Sequence, residues 1–96
     1  MKQYLIHALD AKDEKALERR LAVRAEHLAS AIFLKEKNNF ILGGAMLNND
    51  GLMIGSTLVL QFETDEEFDD WKKQEVYILN NVWDKIEIYP FKVAQV

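Results

Sequence analysis

The hydrophobic period changes several times along this chain, and the order of those changes leaves few architectures open. Tyr4 to Leu9 alternates with period two, placing Tyr4, Ile6 and Ala8 on one side and Leu5, His7 and Leu9 on the other, as in a strand. From Asp13 to Lys37 the apolar spacing moves to about 3.6, the period of a helix. Leu17, Leu21, Leu28 and Ile32, with Ala25 in the gap, are predicted as its core stripe, and Glu18, Arg19, Glu26 and Lys35 as its solvent side. Asp10 and Asp13 are candidate N-caps, and Asn38 or Asn39 can adopt the left-handed conformation that stops the helix. Two further apolar runs, Phe40 to Leu47 and Met53 to Phe62, flank Asn48-Asn49-Asp50-Gly51, which predicts a hairpin tip. Gly43-Gly44 within the first run points to a bulge or a close backbone approach.

Thr64 and Glu67 have the spacing of a capping box, followed by Phe68 and Trp71 as the buried side of a shorter helix. Glu75 to Asn81 reads as a loop with one helical turn. A last strand spans about Asp84 to Val93, with Pro90 restricting it to an edge or bulge. The order β-α-β-β-α-β is the split βαβ pattern of a ferredoxin-like α+β fold: a four-stranded antiparallel sheet with two helices on one face. No linker or repeat divides residues 1–96, so one domain is expected.

Composition narrows the function. The 96 residues carry 12 Lys and Arg against 16 Asp and Glu, a net charge of −4, so no basic surface for nucleic acid or anionic membranes is expected. The absence of cysteine excludes disulfides, thiol catalysis and zinc-thiolate sites. No signal peptide is read at the start, no run reaches membrane-span length, and a soluble cytoplasmic protein is the expectation. The strands carry apolar residues on both faces. Ile86 and Ile88 oppose Tyr89, Phe91 and Val93; Ile54, Leu58, Leu60 and Phe62 oppose Met53 and Val59. Two helices cover only one face, so a twofold homodimer stacking the open sheet faces is expected.

Among chemically capable residues, Arg20, Arg24 and His27 fall along one helical stripe, where an imidazole beside two guanidiniums can bind an anion and move a proton. Spacing alone favours the plainer reading, a helix flank whose arginines pair with Glu18 or other carboxylates. His7 reads as a hydrogen-bonded core or interface residue. The Asp65, Glu66, Asp69, Asp70 group reads as a solvated helix face rather than a cation site. Gly43-Gly44 is too short for a phosphate loop, and Ser56 lacks a nucleophile elbow.

Several stretches together resemble the YciI-like (YCII-related) family of the dimeric α+β barrel superfamily. They are residues Tyr4 to Asp10, Arg20 to Leu28, Gly44, Gly55-Ser56-Thr57 and Pro90-Phe91-Lys92; the Arg-x-x-x-Arg-x-x-His-Leu run is the most specific. The resemblance implies a ferredoxin-like homodimer with a site centred on a histidine and an acid. The histidine falls on His27. The acid, commonly in Asp-Pro-Tyr, falls on Glu75 of Glu75-Val76-Tyr77, with Asp10 as the alternative carboxylate. Ala25 replaces a proline after the second arginine, and Gly44-Ala45 stands for a Gly-Pro. The resemblance thus implies a small-molecule enzyme without metal or organic cofactor, using His27 and Glu75 or Asp10 for acid–base chemistry such as isomerisation, lactone chemistry or dehydrohalogenation. Arg20, Arg24 and Ser56 would bind an anionic or phenolic substrate. The rival is a non-catalytic dimeric ligand-binding module, and the distance from the His27 ring to a carboxylate discriminates between them.

Overall fold

The alternating segments form strands that pair as one sheet in the computed structural model, which describes residues 1–96. The elements are β1 (Lys2–Asp10), α1 (Ala16–Glu36), β2 (Phe40–Leu47), β3 (Met53–Phe62), α2 (Asp65–Gln74), α3 (Val76–Leu79) and β4 (Trp83–Phe91). The sheet order is β2-β3-β1-β4, every pair antiparallel, as the split βαβ pattern requires. No helix is long and apolar enough to cross a membrane.

Register decides which side chains meet the helices. Ile6 lies opposite Leu58 and Ile88, Ala8 opposite Ser56 and Ile86, and Tyr4 opposite Leu60 and Pro90. The buried core joins Tyr4, Ile6, Leu58, Leu60 and Phe62 to Phe68 and Trp71 of α2, Tyr77 of α3, and Val82 and Trp83. On the other face Leu5 lies opposite Val59 and Tyr89, and His7 opposite Thr57 and Glu87. That face is more mixed than expected: His7 Nδ1 lies 3.3 Å from Thr57 Oγ1, and Gln3 donates to Gln61 across 3.4 Å.

Local signals explain the turns. Asn48 Oδ1 accepts from the backbone N–H groups of Asp50 and Leu52, and Gly51 supplies the positive φ (79°) that closes the hairpin. At Gly43 a Cβ would sit 2.5 Å from Leu58 Cδ2 and 2.9 Å from Phe40 Cζ, so the Leu58 and Phe40 side chains fill the space a side chain would take. The register irregularity lies just before it, between Phe40 and Leu42. Thr64 Oγ1 accepts from Glu67 N at 3.2 Å, capping α2. Asn38 ends α1 in the left-handed region at φ 63°.

The start and the facing of α1 depart from expectation. Neither Asp10 nor Asp13 caps it; Lys15 precedes the helix without a side-chain cap. Asp13 instead holds Arg19 in a two-pronged bridge at 2.8 and 2.6 Å. The predicted core stripe faces outward, with Leu21, Leu28 and Ile32 exposed by 53, 42 and 62%. The inward stripe is Ala16, Arg20, Val23, His27, Ala31 and Leu34, whose members are buried or half-buried. The cause is electrostatic. Arg20 Nη1 donates to both oxygens of Asp10, at 2.9 and 3.0 Å, and Nη2 donates to Ser56 Oγ at 2.8 Å. Both side chains of the ion pair are almost wholly buried. Trp83 Nε1 donates to the same Ser56 oxygen at 3.2 Å, so one polar cluster ties β1, α1, β3 and β4. Burial pushes the Asp10 carboxyl up, and the adjoining guanidinium opposes that shift.

Removing one member of a buried pair strands the other charge. Arg20→Met should cost about 3–5 kcal/mol in urea unfolding, and combining it with Asp10→Leu should recover most of the loss. The tyrosines offer a second check. Burial, followed by the hydrogen bond donated to Asp65 Oδ1, raises Tyr4 to about 12. Burial raises Tyr77, and a hydrogen bond to Glu87 raises Tyr89. The folded state thus favours the neutral phenols. This stabilisation is complete below the ordinary value of 10.0 and lost as pH climbs toward about 12. A spectrophotometric titration of the three tyrosines should show less phenolate at pH 10 in the folded chain than in urea.

Candidate functional site

Two helical turns separate Arg20 from His27, so the ion pair that turns Arg20 inward also turns His27 inward. His27 Nδ1 lies 2.7 Å from Glu75 Oε1, joining α1 to the junction of α2 and α3 across 48 positions of sequence. Glu75 is extended (φ −66°, ψ 118°), ending one helix and capping the next, with Oε1 also accepting from Tyr77 N at 3.1 Å. Its side chain is 2% exposed and that of His27 11%. The imidazole stacks on Tyr77 at 3.9 Å, tilted by only 10°, and meets Trp83 edge-on at 6.2 Å. Stacking and the carboxylate together fix the ring plane. A carboxylate accepts, so the shared proton rides on Nδ1 and Nε2 is the nitrogen free to exchange one.

A cleft of about 220 Å³ adjoins this ring, lined by His27, Tyr77 and Arg24 with Leu28, Phe40 and Leu58 among its apolar walls. Gly43 and Gly44 contribute strand backbone rather than side chains to it. The Arg24 side chain makes no hydrogen bond or ion pair within the chain. Its guanidinium is therefore available to an anion. Arg20 and Ser56 also reach the cleft, yet both are committed elsewhere: Arg20 to Asp10 and Ser56, and Ser56 as acceptor from Arg20 and Trp83.

Of the residues singled out in the sequence, His27 and Glu75 meet directly and Arg24 stands beside them. Asp10 does not serve as an alternative partner for His27, because Arg20 holds both its oxygens. Of the two stripe arginines, Arg20 pairs with a carboxylate as the plainer reading expected, though it is Asp10 rather than Glu18, while Arg24 pairs with none. Of the acidic residues at the start of α2, Asp65 binds Tyr4 and Lys2 of β1 and Asp69 binds Lys72, and no three metal-binding side chains converge. Sequence reasoning misses Tyr77 and Trp83 as site residues. Tyr77 does carry a signal, since it stands where Asp-Pro-Tyr has its tyrosine, whereas Trp83 reads only as core.

Comparison with known proteins places the chain in a family. A family model, YCII-related domain, matches residues 3–92. Protein YciI of Escherichia coli is 33% identical over 95 residues, covering 93% of this chain and 95% of that protein. An uncharacterised protein of Haemophilus influenzae is 34% identical over the same length and shares of the two chains. Among solved structures, 5-chloro-2-hydroxyhydroquinone dehydrochlorinase from Burkholderia phenoliruptrix, in complex with 2,5-dihydroxybenzoquinone, superposes with a TM-score of 0.80 at 23% identity. The match covers 96% of this chain and 95% of that one. A dimeric ferredoxin-like protein of unknown function from Jannaschia gives 0.61 at 13% identity, over 97% and 100% of the two chains. These two likenesses speak to the fold; the family model and the sequence relatives go further, and by them the chain belongs to the YCII-related family.

Proposed function

We propose that this protein is an enzyme acting on small anionic or phenolic ring compounds, with His27 as the proton carrier. The observation that carries the reading is the 2.7 Å contact between His27 Nδ1 and the almost inaccessible Glu75 carboxylate, beside a cleft. Glu75 orients the imidazole and stabilises the positive charge that the ring gains on taking a proton at Nε2. Arg24 holds an anionic group of the substrate. Arg20, neutralised by Asp10, contributes shape and rigidity rather than net charge. Elimination, isomerisation and lactone opening by water all use a base of this kind, and the dehydrochlorinase of the same fold makes chlorinated hydroxyhydroquinones the first substrates to try. One well-placed acid–base group contributes about 10²–10⁴-fold, enough for such activated molecules.

We also propose that two copies stack their open sheet faces, as suits a relative in fold that is dimeric. Leu5, Val59 and Tyr89 form an apolar row across that face, and Tyr89 is exposed in the single chain.

Two measurements check these readings. On a panel of chlorinated hydroxyhydroquinones and lactones, His27→Ala should turn over at least about 100-fold more slowly than wild type, and Glu75→Gln should fall between them. Equal turnover by wild type and His27→Ala would remove His27 from the mechanism, and binding without turnover would identify a ligand-binding module. In sedimentation equilibrium the wild type should show twice 11.2 kDa, and Leu5→Glu, which sets a charge in the middle of the row, should show the single value. A wild-type mass of one chain would overturn the dimer.

A further inference from the structure

The phenol of Tyr77 is an ionisable group of the cleft that proton transfer by His27 leaves unused. The residue is 1% exposed, its ring stacked on His27 and lying 4.8 Å beneath the guanidinium carbon of Arg20. Its backbone N–H holds Glu75, but its hydroxyl finds no hydrogen-bond partner within the chain. Nor is that hydroxyl sealed off. The unpartnered side-chain atoms shut away from solvent are Arg19 Nε, Arg20 Nε and Trp71 Nε1, and Tyr77 Oη is not one of them. The residue also lines the cleft, although almost none of its surface is exposed. A tyrosine buried this deeply normally gives its O–H to a protein acceptor. Without one, phenylalanine would pack as well, and the hydroxyl is explained by something that enters the cleft.

We infer that Tyr77 is a further catalytic residue, whose O–H donates a hydrogen bond to a hydroxyl or carbonyl oxygen of the ring substrate as negative charge develops on it. The inference rests on the proposed role of His27. His27 Nε2 takes a proton from the carbon next to a carbonyl. The C–H electron pair becomes the new C=C bond, the carbonyl π pair passes to oxygen, and Tyr77 stabilises that oxygen while keeping its own proton. Burial holds the phenol above its ordinary value, against the lowering by Arg20 and Arg24, so the donor is neutral where the histidine works. The substrate class narrows to rings that carry an oxygen beside the reacting carbon.

The probe is 4-nitrocatechol, a one-ring phenol whose visible band reports hydrogen bonding to its oxygen. Titrated into wild type, it should bind with a shift of that band to shorter wavelength. Tyr77→Phe keeps the ring and its stacking, and should bind the probe roughly 10–100-fold more weakly and leave the band where the free phenolate absorbs. On any substrate found for wild type, Tyr77→Phe should lower kcat about 10²-fold, the usual effect of deleting one donor to a developing oxyanion. Equal affinity and equal shift in Tyr77→Phe would overturn the inference even if His27→Ala is inactive, and so would failure of wild type to bind the probe. Loss of the shift in Tyr77→Phe together with full turnover by His27→Ala would support the Tyr77 contact while removing the histidine from the chemistry.

Discussion

The facing of the long helix rests on the guanidinium of Arg20. A buried carboxylate at the end of β1 needs a partner, and Arg20 meets both its oxygens while also reaching Ser56 on β3. Breaking such a pair leaves an uncompensated charge inside, a penalty of about 3–5 kcal/mol that rivals the burial of one or two leucines. Helical geometry then carries the consequence along the chain. Seven residues are close to two turns, roughly 10.5 Å of rise, so His27 comes round to the same side as Arg20. The space between the two side chains is where α3 brings Tyr77, in contact with both.

Glu75 does at the junction of α2 and α3 what a shorter acid with a following proline would have to do by stiffness. Relative to Asp-Pro-Tyr, the extra methylene of Glu75 and the absence of proline at Val76 add freedom. Oε1 removes much of it by accepting from Tyr77 N as well as meeting His27, so the same oxygen that faces the imidazole also starts α3. Backbone bonds from Ile78 and Leu79 to the Glu75 carbonyl, and the return bond from Val82 to Tyr77, close the loop. The longer side chain therefore bridges helices without becoming mobile. Its aim is set by hydrogen bonds rather than by ring constraint.

Most of the architecture was legible because it depends on local signals. The hairpin followed from Asn48 and Gly51, the second helix from Thr64, and the edge position of β4 from Pro90, each acting over a few residues. The facing of α1 was not legible. Leucine spacing reports that a helix has an apolar stripe, but not that its own chain covers it, and here Leu21, Leu28 and Ile32 lose to a charge pair ten residues apart in sequence. The partnership of His27 with Glu75 came from family resemblance, since no periodicity links positions 48 apart. Tyr77 stands in the same Glu75-Val76-Tyr77 stretch, but only the fold puts its ring against the imidazole.

Where the buried polar groups lie is itself an argument about purpose. The chain buries 19 of its 96 residues, and only five of those are polar or charged: Asp10, Arg20, Asn39, Ser56 and Glu75. Asn39 ties the chain entering β2 to β3 by donating to the Gln61 carbonyl. The other four either line one cleft or hold a side chain that does, Asp10 gripping Arg20 and Glu75 meeting His27. A fold this small gains its stability from apolar burial, and each buried polar side chain must recover its lost hydration through hydrogen bonds made with good geometry. Random placement would scatter such groups through the core. Concentrating them beside a partly exposed imidazole gives up apolar packing at one end of the helix layer and gains a rigid polar wall there, which is the arrangement acid–base chemistry on a small molecule requires.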